Sequence, residues 1–252
     1  MGKQGKTYRR PATLTPVPTH YCPGCGHGVV HRLIAELVEE MGLQGKTVLI
    51  APVGCAVLGY HYFNFDVTEA AHGRPPAVAT GIKRVRPELF VVSYQGDGDL
   101  AAIGMAETIH AANRGENFTV VFVNNQIYGM TGGQMAPTTP VGQETATSPG
   151  GRLETQSGPP IKVCELLSGL SGVVYLARGA LDTPGHIRQC REYLRRAFTI
   201  QLEEKGYSLV EILSPCPTYL RLDPCRAREH LTREIIPLFP LGVVKDTSEG
   251  KT

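Results

Sequence analysis

The stretch Tyr94–Gly104, YQGDGDLAAIG, decides how the rest of the chain is read. It follows an apolar run, Leu89–Ser93 (LFVVS), with the character of a buried strand. It leads into Leu100–Asn113, where small and apolar residues recur at helical spacing. A strand, a glycine turn and a helix make an anion cradle, because backbone N–H groups and the positive helix end face the ligand. Asp97 and Asp99 stand in that turn beside Gly96 and Gly98. Two carboxylates there repel phosphate unless a cation lies between them and the anion.

Outward from this unit, apolar runs alternate with helical stretches. Strands are expected at 47–51, 89–93, 118–123, 173–177 and 209–213, and helices at 28–41, 100–113, 184–205 and 225–236. Such alternation predicts an α/β fold, a parallel sheet flanked by helices on both faces. The chain has 252 residues, 42% hydrophobic and 19% charged, with a net charge of +2. One domain with a sizeable core is expected, with no case for nucleic acid or for an anionic membrane surface. No apolar run reaches the roughly 18 residues of a membrane span, and the basic first 19 residues lack the apolar segment of a signal peptide. The expected organisation is an N-terminal arm over 1–19, a body over 20–245 and a tail over 246–252, in a cytoplasmic protein. Residues 129–160 form a long, apolar-poor loop, expected to cover a ligand or contact another subunit.

The next strand after the turn ends in Asn124 and Asn125, followed by Gln126, Ile127 and Tyr128. In a parallel sheet, a strand pair joined by a crossover helix brings its C-terminal ends side by side. Asp97 and Asn125, 28 residues apart, can therefore meet at one edge. A carboxylate, an amide oxygen and a backbone carbonyl form an oxygen-only set suited to Mg²⁺, which shares its octahedron with phosphate oxygens. Solvated aspartates in a turn, or a dinucleotide site on Gly96, Gly98 and Ala101, are the competing readings. The second leaves two acidic residues against an unmetallated pyrophosphate. The turn, the spacing and the paired asparagines at a strand end favour a thiamine diphosphate signature.

Seven cysteines occur: Cys22, Cys25, Cys55, Cys164, Cys190, Cys216 and Cys225. An odd number without an export signal argues against a disulfide framework. The pair in CPGC (22–25) is compatible with zinc, redox thiols or an iron–sulfur cluster. No second C-x₂-C completes a zinc site. Cys55 and Cys216 both follow expected strands, at the edge assigned to the diphosphate. Cys164 and Cys190 lie in apolar helical contexts and read as buried thiols. Cys225 is an alternative to Cys216 without the strand-end context. His27 and His72 adjoin motifs, and a lone histidine is usually a packing or orienting residue.

The chain resembles the thiamine-diphosphate-binding β subunits of the 2-oxoacid:ferredoxin oxidoreductases, of the 2-ketoisovalerate or 2-oxoglutarate type. The likeness runs over roughly 17–245, through YCPGCGHG (21–28), VGCAVLGY (53–60), AHGRPPAVATGIK (71–83), GDGDLAAIG (96–104), VNNQIYGMTGGQ (123–134), SPCPT (214–218) and IIPLFPLGVVKD (235–246). It implies thiamine diphosphate, with Mg²⁺ held by Asp97, Asn125 and the Ile127 carbonyl. Gly54, Cys55, His72, Gly73, Arg74, Gly96, Gly98, Asp99, Tyr128, Gly129 and Thr131 are the further cofactor-binding residues. Cys22, Cys25, Cys55 and Cys216 are implied as ligands of a [4Fe–4S] cluster. The implied reaction is CoA-dependent oxidative decarboxylation of a branched-chain 2-oxoacid or 2-oxoglutarate, with electrons leaving through the cluster to an external ferredoxin. The chain offers no obvious glutamate to activate the cofactor, and the resemblance implies one on an α subunit. Larger assemblies add γ and ferredoxin-like δ subunits. Some relatives carry a lysine after the threonine of YGMTGGQ where this chain has Gly132, so the substrate carboxylate contact stays unassigned. A non-oxidative thiamine decarboxylase or carboligase, and a zinc-stabilised binding domain, are the rival readings.

Overall fold

The structure is a computed structural model describing residues 9–250. A seven-stranded sheet runs through it. Its strands are β1 (Thr47–Ala51), β2 (Asp66–Glu69), β3 (Phe90–Gly96), β4 (Thr119–Asn124), β7 (Val173–Ala180), β8 (Tyr207–Leu213) and β9 (Gly242–Asp246), while β5 (Ile127–Tyr128) and β6 (Gln134–Met135) form a separate small hairpin. The order is β2-β1-β3-β4-β8-β7-β9. Every neighbouring pair is parallel except β7 and β9, which run antiparallel. The five expected strands are present, and β2 and β9 close the edges. Both edge strands lacked an apolar signal because their residues are only half-buried.

Helices cover both faces, as the alternation predicts. On one face α1 (His27–Glu40) and the long helix Pro184–Leu202 pack Ile34, Leu37, Leu194 and Phe198 against Leu49, Val92 and Val210. On the other, α2 (Pro75–Val85), α3 (Met105–Arg114) and the short helix Val163–Ser168 pack Ala79, Ala111 and Leu167 against Ile50, Val91, Phe122 and Leu209. Helix α2 opens on two prolines. Proline suits the first turn, where its missing N–H leaves no bond unmade.

Two expected helices are interrupted. Residues 98–103 form a π-helical turn closed by Gly104 N–H donating to the Asp99 carbonyl at 2.8 Å, and α3 starts only after it. Gly104 is required there, since a Cβ would lie 2.7 Å from the Asp99 carbonyl and press on Gly73. Over 225–236 the chain divides into Pro224–His230, a π-helical turn at 231–235 and a last turn at Ile236–Leu238.

Residues 1–8 of the expected arm lie outside the described residues. Pro11–Thr15 is fastened to the body: Thr13 is buried and its hydroxyl donates to the Ala35 carbonyl at 2.7 Å. The stretch expected as a tail begins on the final residue of β9.

The loop 129–160 packs around Arg152, whose side chain is buried. Its guanidinium donates to six main-chain carbonyls, those of Ala136, Pro137, Thr139, Ser157, Gly158 and Pro159, at 2.8–3.2 Å. Its five N–H donors meet these six acceptors by sharing one Nη1 hydrogen, whereas the three donors of an ammonium on one nitrogen cannot span them. Arg152→Lys is therefore expected to lower stability by roughly 1–3 kcal/mol, the cost of unpaired buried acceptors. The check is a lower melting temperature together with new proteolytic cleavage confined to 129–160. A protected loop would show that the clamp is dispensable.

Candidate cofactor and cluster site

The C-terminal ends of β1, β3, β4 and β8 are adjacent in the sheet, and each leads into a candidate functional segment. Gly54 and Cys55 follow β1, Asp97 follows β3, Asn125 follows β4 and Cys216 follows β8. All of these but Cys216 line one cleft of about 90 Å³. Its lining includes Gly54, Cys55, His72, Gly96, Asp97, Gly98, Asp99, Asn125, Ile127, Tyr128, Gly129 and Thr131. Gly73 and Arg74 do not line it. The Arg74 guanidinium, expected near the diphosphate, forms an ion pair with Glu107 on α3.

Asp97 is buried, and its carboxylate collects donors. Gly98 N–H donates to Oδ1 at 2.7 Å, and the N–H groups of Asn125 and Ile127 donate to Oδ2, each at 3.1 Å. The Thr138 hydroxyl, from the long loop, reaches Oδ2 at 3.3 Å. Burial outweighs these bonds and pushes the carboxyl up to about 7. One terminal atom of the Asn125 amide lies 3.2 Å from Asp97 Oδ2 and 2.9 Å from the Ile127 carbonyl oxygen. As an NH₂ it donates to both. As Oδ1 it faces two acceptors, and only a cation stabilises three converging oxygens. An Mg²⁺ octahedron with bonds of about 2.0–2.1 Å has adjacent oxygens about 2.8–3.0 Å apart. The 2.9 Å separation matches that edge, and the 3.2 Å one is slightly longer than it.

Asp99 has a different part. Its Oδ1 accepts from Gly73 N–H at 2.9 Å and pairs with His72 Nδ1 at 2.6 Å, while Oδ2 accepts from Gln95 Nε2 at 2.7 Å. Both oxygens are engaged, so Asp99 orients His72 at the cleft wall and holds the turn at Gly73 (φ +76°). Gly98 leaves space for the Tyr128 ring, into which a Cβ would be driven. Tyr128 in turn donates to the Gly98 carbonyl at 3.2 Å.

His27 lines the cleft although it is almost fully buried. Nδ1 is bonded to the Tyr94 hydroxyl at 2.7 Å, and burial, with the nearby His20, lowers its pKa to about 4. The ring is thus a neutral imidazole at the cleft, a place that its sequence context did not reveal. Among the described residues, no glutamate lines this cleft.

The thiols approach from two sides. Cys25 N–H donates to the Cys22 carbonyl at 3.0 Å, and Gly26 N–H donates to Ser214 Oγ at 3.2 Å, which ties the CPGC turn to the end of β8. A Cβ on Gly129 would lie 3.1 Å from Cys55 Sγ and 3.7 Å from Cys216 Sγ. Burial pushes Cys55 up to about 12, and charge on Cys25, Cys216 and Cys22 adds to it. Cys25 is pushed up to about 11, again by burial first. Cys216 is raised as well, by burial first, so Cys25, Cys55 and Cys216 resist ionising together without a positive centre among them. Among the described residues no three His, Cys, Asp or Glu side chains are grouped to hold a single metal ion. Cys164 and Cys190 are fully buried, with Sγ directed to Glu211 and to the Ala180 carbonyl.

The fold and this edge define an α/β domain built for a diphosphate cofactor. The model of the family "Thiamine pyrophosphate enzyme, C-terminal TPP binding domain" matches residues 52–212. Ketoisovalerate oxidoreductase subunit VorA of Methanothermobacter thermautotrophicus is 51% identical over 96% of this chain and 50% of its own length. 2-Oxoglutarate synthase subunit KorB of Archaeoglobus fulgidus is 38% identical over 85% of this chain and 76% of its own. Among solved structures, a 2-oxoglutarate:ferredoxin oxidoreductase from Magnetococcus marinus, with 2-oxoglutarate, coenzyme A and succinyl-CoA bound, superposes with a TM-score of 0.78 at 28% identity. That alignment covers 97% of this chain and 87% of the other. The chain belongs to the thiamine pyrophosphate enzymes and, within them, to the β-type subunits of the 2-oxoacid:ferredoxin oxidoreductases. It spans about half the length of the VorA subunits it matches. No described helix is long and apolar enough to cross a membrane.

A cation held at Asp97 would have to displace its proton. The Mg²⁺ concentration for half-saturation is expected to fall about tenfold per pH unit below 7 and to level off above it. Calorimetric titration at several pH values checks this. A profile flat from pH 5 to 8 would place the cation elsewhere.

Proposed function

We propose that the chain is the cofactor-binding half of an enzyme that decarboxylates a 2-oxoacid oxidatively to an acyl-CoA and CO₂. Asp97, Asn125 and the Ile127 carbonyl would hold Mg²⁺, and Cys22, Cys25, Cys55 and Cys216 would hold a [4Fe–4S] cluster. Bound thiamine diphosphate supplies the nucleophile and electron sink for decarboxylation, and the cluster supplies one-electron acceptance. The chain's own residues position and insulate. His72, oriented by Asp99 through Nδ1, lines the cleft, and as the imidazolium its outer nitrogen would be a donor for a diphosphate. His27 stays neutral beside it and adds no charge to compete with the cation. Cys55 lines the cleft itself, and Gly129 separates the cleft from Cys216 by no more than a backbone.

The observation that carries the proposal is this shared wall: Cys55 and Asp97 line the same cleft. A cluster used only for structure has no need to border the cofactor. The non-oxidative reading gains no support from that proximity. The activating glutamate, CoA and the electron-accepting ferredoxin fall to partners, an α subunit first among them. Identity of 51% to the VorA subunit against 38% to the KorB subunit favours a branched-chain 2-oxoacid over 2-oxoglutarate.

The test is anaerobic purification with the partner subunits, followed by iron and thiamine diphosphate analysis. Reduction of ferredoxin is then assayed with CoA and each 2-oxoacid. About four irons per chain and CoA-dependent reduction are expected. Bound thiamine diphosphate with CO₂ release, but no iron in protein never exposed to oxygen, would return the function to the non-oxidative class.

A further inference from the structure

Behind the cation site lies a buried charged group that the chemistry above does not use. Glu211 stands in the middle of β8 and is fully buried. A carboxylate within a sheet is costly unless every oxygen is engaged. Here Oε2 accepts from Arg178 Nε on the neighbouring β7 at 2.8 Å and from the Cys164 thiol at 3.3 Å. Arg178 is itself fully buried, and its other nitrogens are taken by Glu165 and the Pro240 carbonyl. The second carboxylate oxygen, Oε1, accepts from Asn124 Nδ2 at 2.8 Å.

That last bond sets a direction. A carboxylate only accepts, so Asn124 must present its NH₂ to Glu211 and its Oδ1 to the opposite side. There Oδ1 accepts from Gln126 N–H at 3.3 Å and from Gln126 Nε2 at 3.1 Å, while the Asn124 carbonyl takes the same amide at 2.7 Å. Gln126 is one of three described non-glycine residues with positive φ, at +62°. This backbone conformation is disfavoured for any residue with a Cβ, and it persists where surroundings enforce it. The turn it makes brings the N–H groups of Asn125 and Ile127 to Asp97 Oδ2 and sets the Asn125 amide between that oxygen and the Ile127 carbonyl. On the far side the Thr139 hydroxyl donates to the Gln126 carbonyl at 2.6 Å.

We infer that Glu211 is a positioning residue for the cation, acting through Asn124 to hold the left-handed turn at Gln126 that presents Asn125 and the Ile127 carbonyl. The inference rests on the reading of Asp97, Asn125 and Ile127 as the Mg²⁺ ligands. In Glu211→Gln the new amide keeps its oxygen for Arg178 and turns its NH₂ toward Asn124. Asn124 must then reverse, and its own NH₂ meets the Gln126 N–H. Asn124→Ala removes the same support while leaving the Arg178–Glu211 pair intact, so a folding failure confined to the first variant does not remove the test.

Mg²⁺-dependent binding of thiamine diphosphate to the full chain, copurified with its partners, is titrated by near-ultraviolet circular dichroism. Both variants are expected to need about tenfold or more Mg²⁺ for half-saturation. Adding Gln126→Gly to either, a residue that adopts positive φ freely, is expected to restore the requirement to within about threefold of the unaltered chain. Melting temperature is expected to stay at each single variant's value. An unchanged Mg²⁺ requirement in folded Asn124→Ala, or a loss that Gln126→Gly does not repair, would overturn the inference. Unaltered protein that binds the cofactor with no Mg²⁺ dependence would instead refute the cation site itself.

Discussion

Replacing Asp97 with asparagine is expected to abolish Mg²⁺-dependent binding of thiamine diphosphate while the chain stays folded. The amide fills the volume of the carboxylate, but its single oxygen cannot accept from both Gly98 N–H and the N–H groups of Asn125 and Ile127, so the turn loses local hydrogen bonds while the surrounding sheet stays intact. Also lost is the one negative charge in the oxygen set. Removing one partner of a buried charge pair costs about 3–5 kcal/mol, or more than a hundredfold in affinity. Calorimetry with Mg²⁺ and thiamine diphosphate measures it, and binding within tenfold of the unaltered chain would show that Asp97 is not a ligand. The same substitution has a second signature. The folded-state pKa of Asp97, about 7, lies above its ordinary value of 3.8 because of burial. Its ionisation therefore opposes folding. The stability it contributes is present below the unfolded value and is lost as pH rises through 7, by up to ~4 kcal/mol. Cation-free protein should lose stability from this group between pH 4 and 7, Asp97→Asn should not, and Mg²⁺ should restore the unaltered chain alone.

Much of this site was legible in the sequence because its chemistry is local. A glycine turn after an apolar strand, with an asparagine pair at the end of the next strand, places Asp97 and Asn125 together through one crossover. The cysteines were legible for a different reason: two of the four follow strands whose C-terminal ends the parallel sheet brings to one edge. What escaped was set by tertiary partners. Arg74 sits in a motif beside the cofactor, yet Glu107 on α3 captures it, and no pattern in 71–83 announces that pair. Helix α2 was hidden by its two prolines, which mark a helix start only where a helix is already suspected. The 129–160 loop read as cover because it lacks apolar residues, whereas the buried Arg152 supplies with hydrogen bonds the cohesion that a core would supply with area. Glu211 did leave a trace, a lone carboxylate in the apolar run SLVEIL, and such a residue in an otherwise buried strand is a prompt to look for a paired arginine.

The second large effect concerns iron. Cys55→Ser and Cys216→Ser are each expected to reduce iron from about four per chain to below one, because a serine hydroxyl is too hard and too basic to replace a thiolate on iron. Thiamine diphosphate should still bind, since the proposed cation ligands lie in the segments after β3 and β4 and are not replaced by either substitution. Iron analysis and the visible absorption of anaerobic protein read the first effect, and cofactor titration reads the second. Cys164→Ser and Cys190→Ser should keep their iron, because both thiols are fully buried and bonded away from the cleft. Cys225 is the informative control. It is exposed and follows Pro224, which packs on Gly24 in the CPGC turn, so it is a spatial neighbour of two proposed ligands as well as a sequence alternative to Cys216. Gly129 decides between them: its Cα carries no side chain where a methyl group would lie 3.1 Å from Cys55 Sγ and 3.7 Å from Cys216 Sγ. Gly129→Ala should therefore lower iron content in parallel with the cysteine substitutions. Iron retained in Cys216→Ser and Gly129→Ala but lost in Cys225→Ser would move the fourth ligand to the outer face of the CPGC turn. The cluster would then keep Cys55 on the cofactor cleft but turn its fourth ligand away from Gly129.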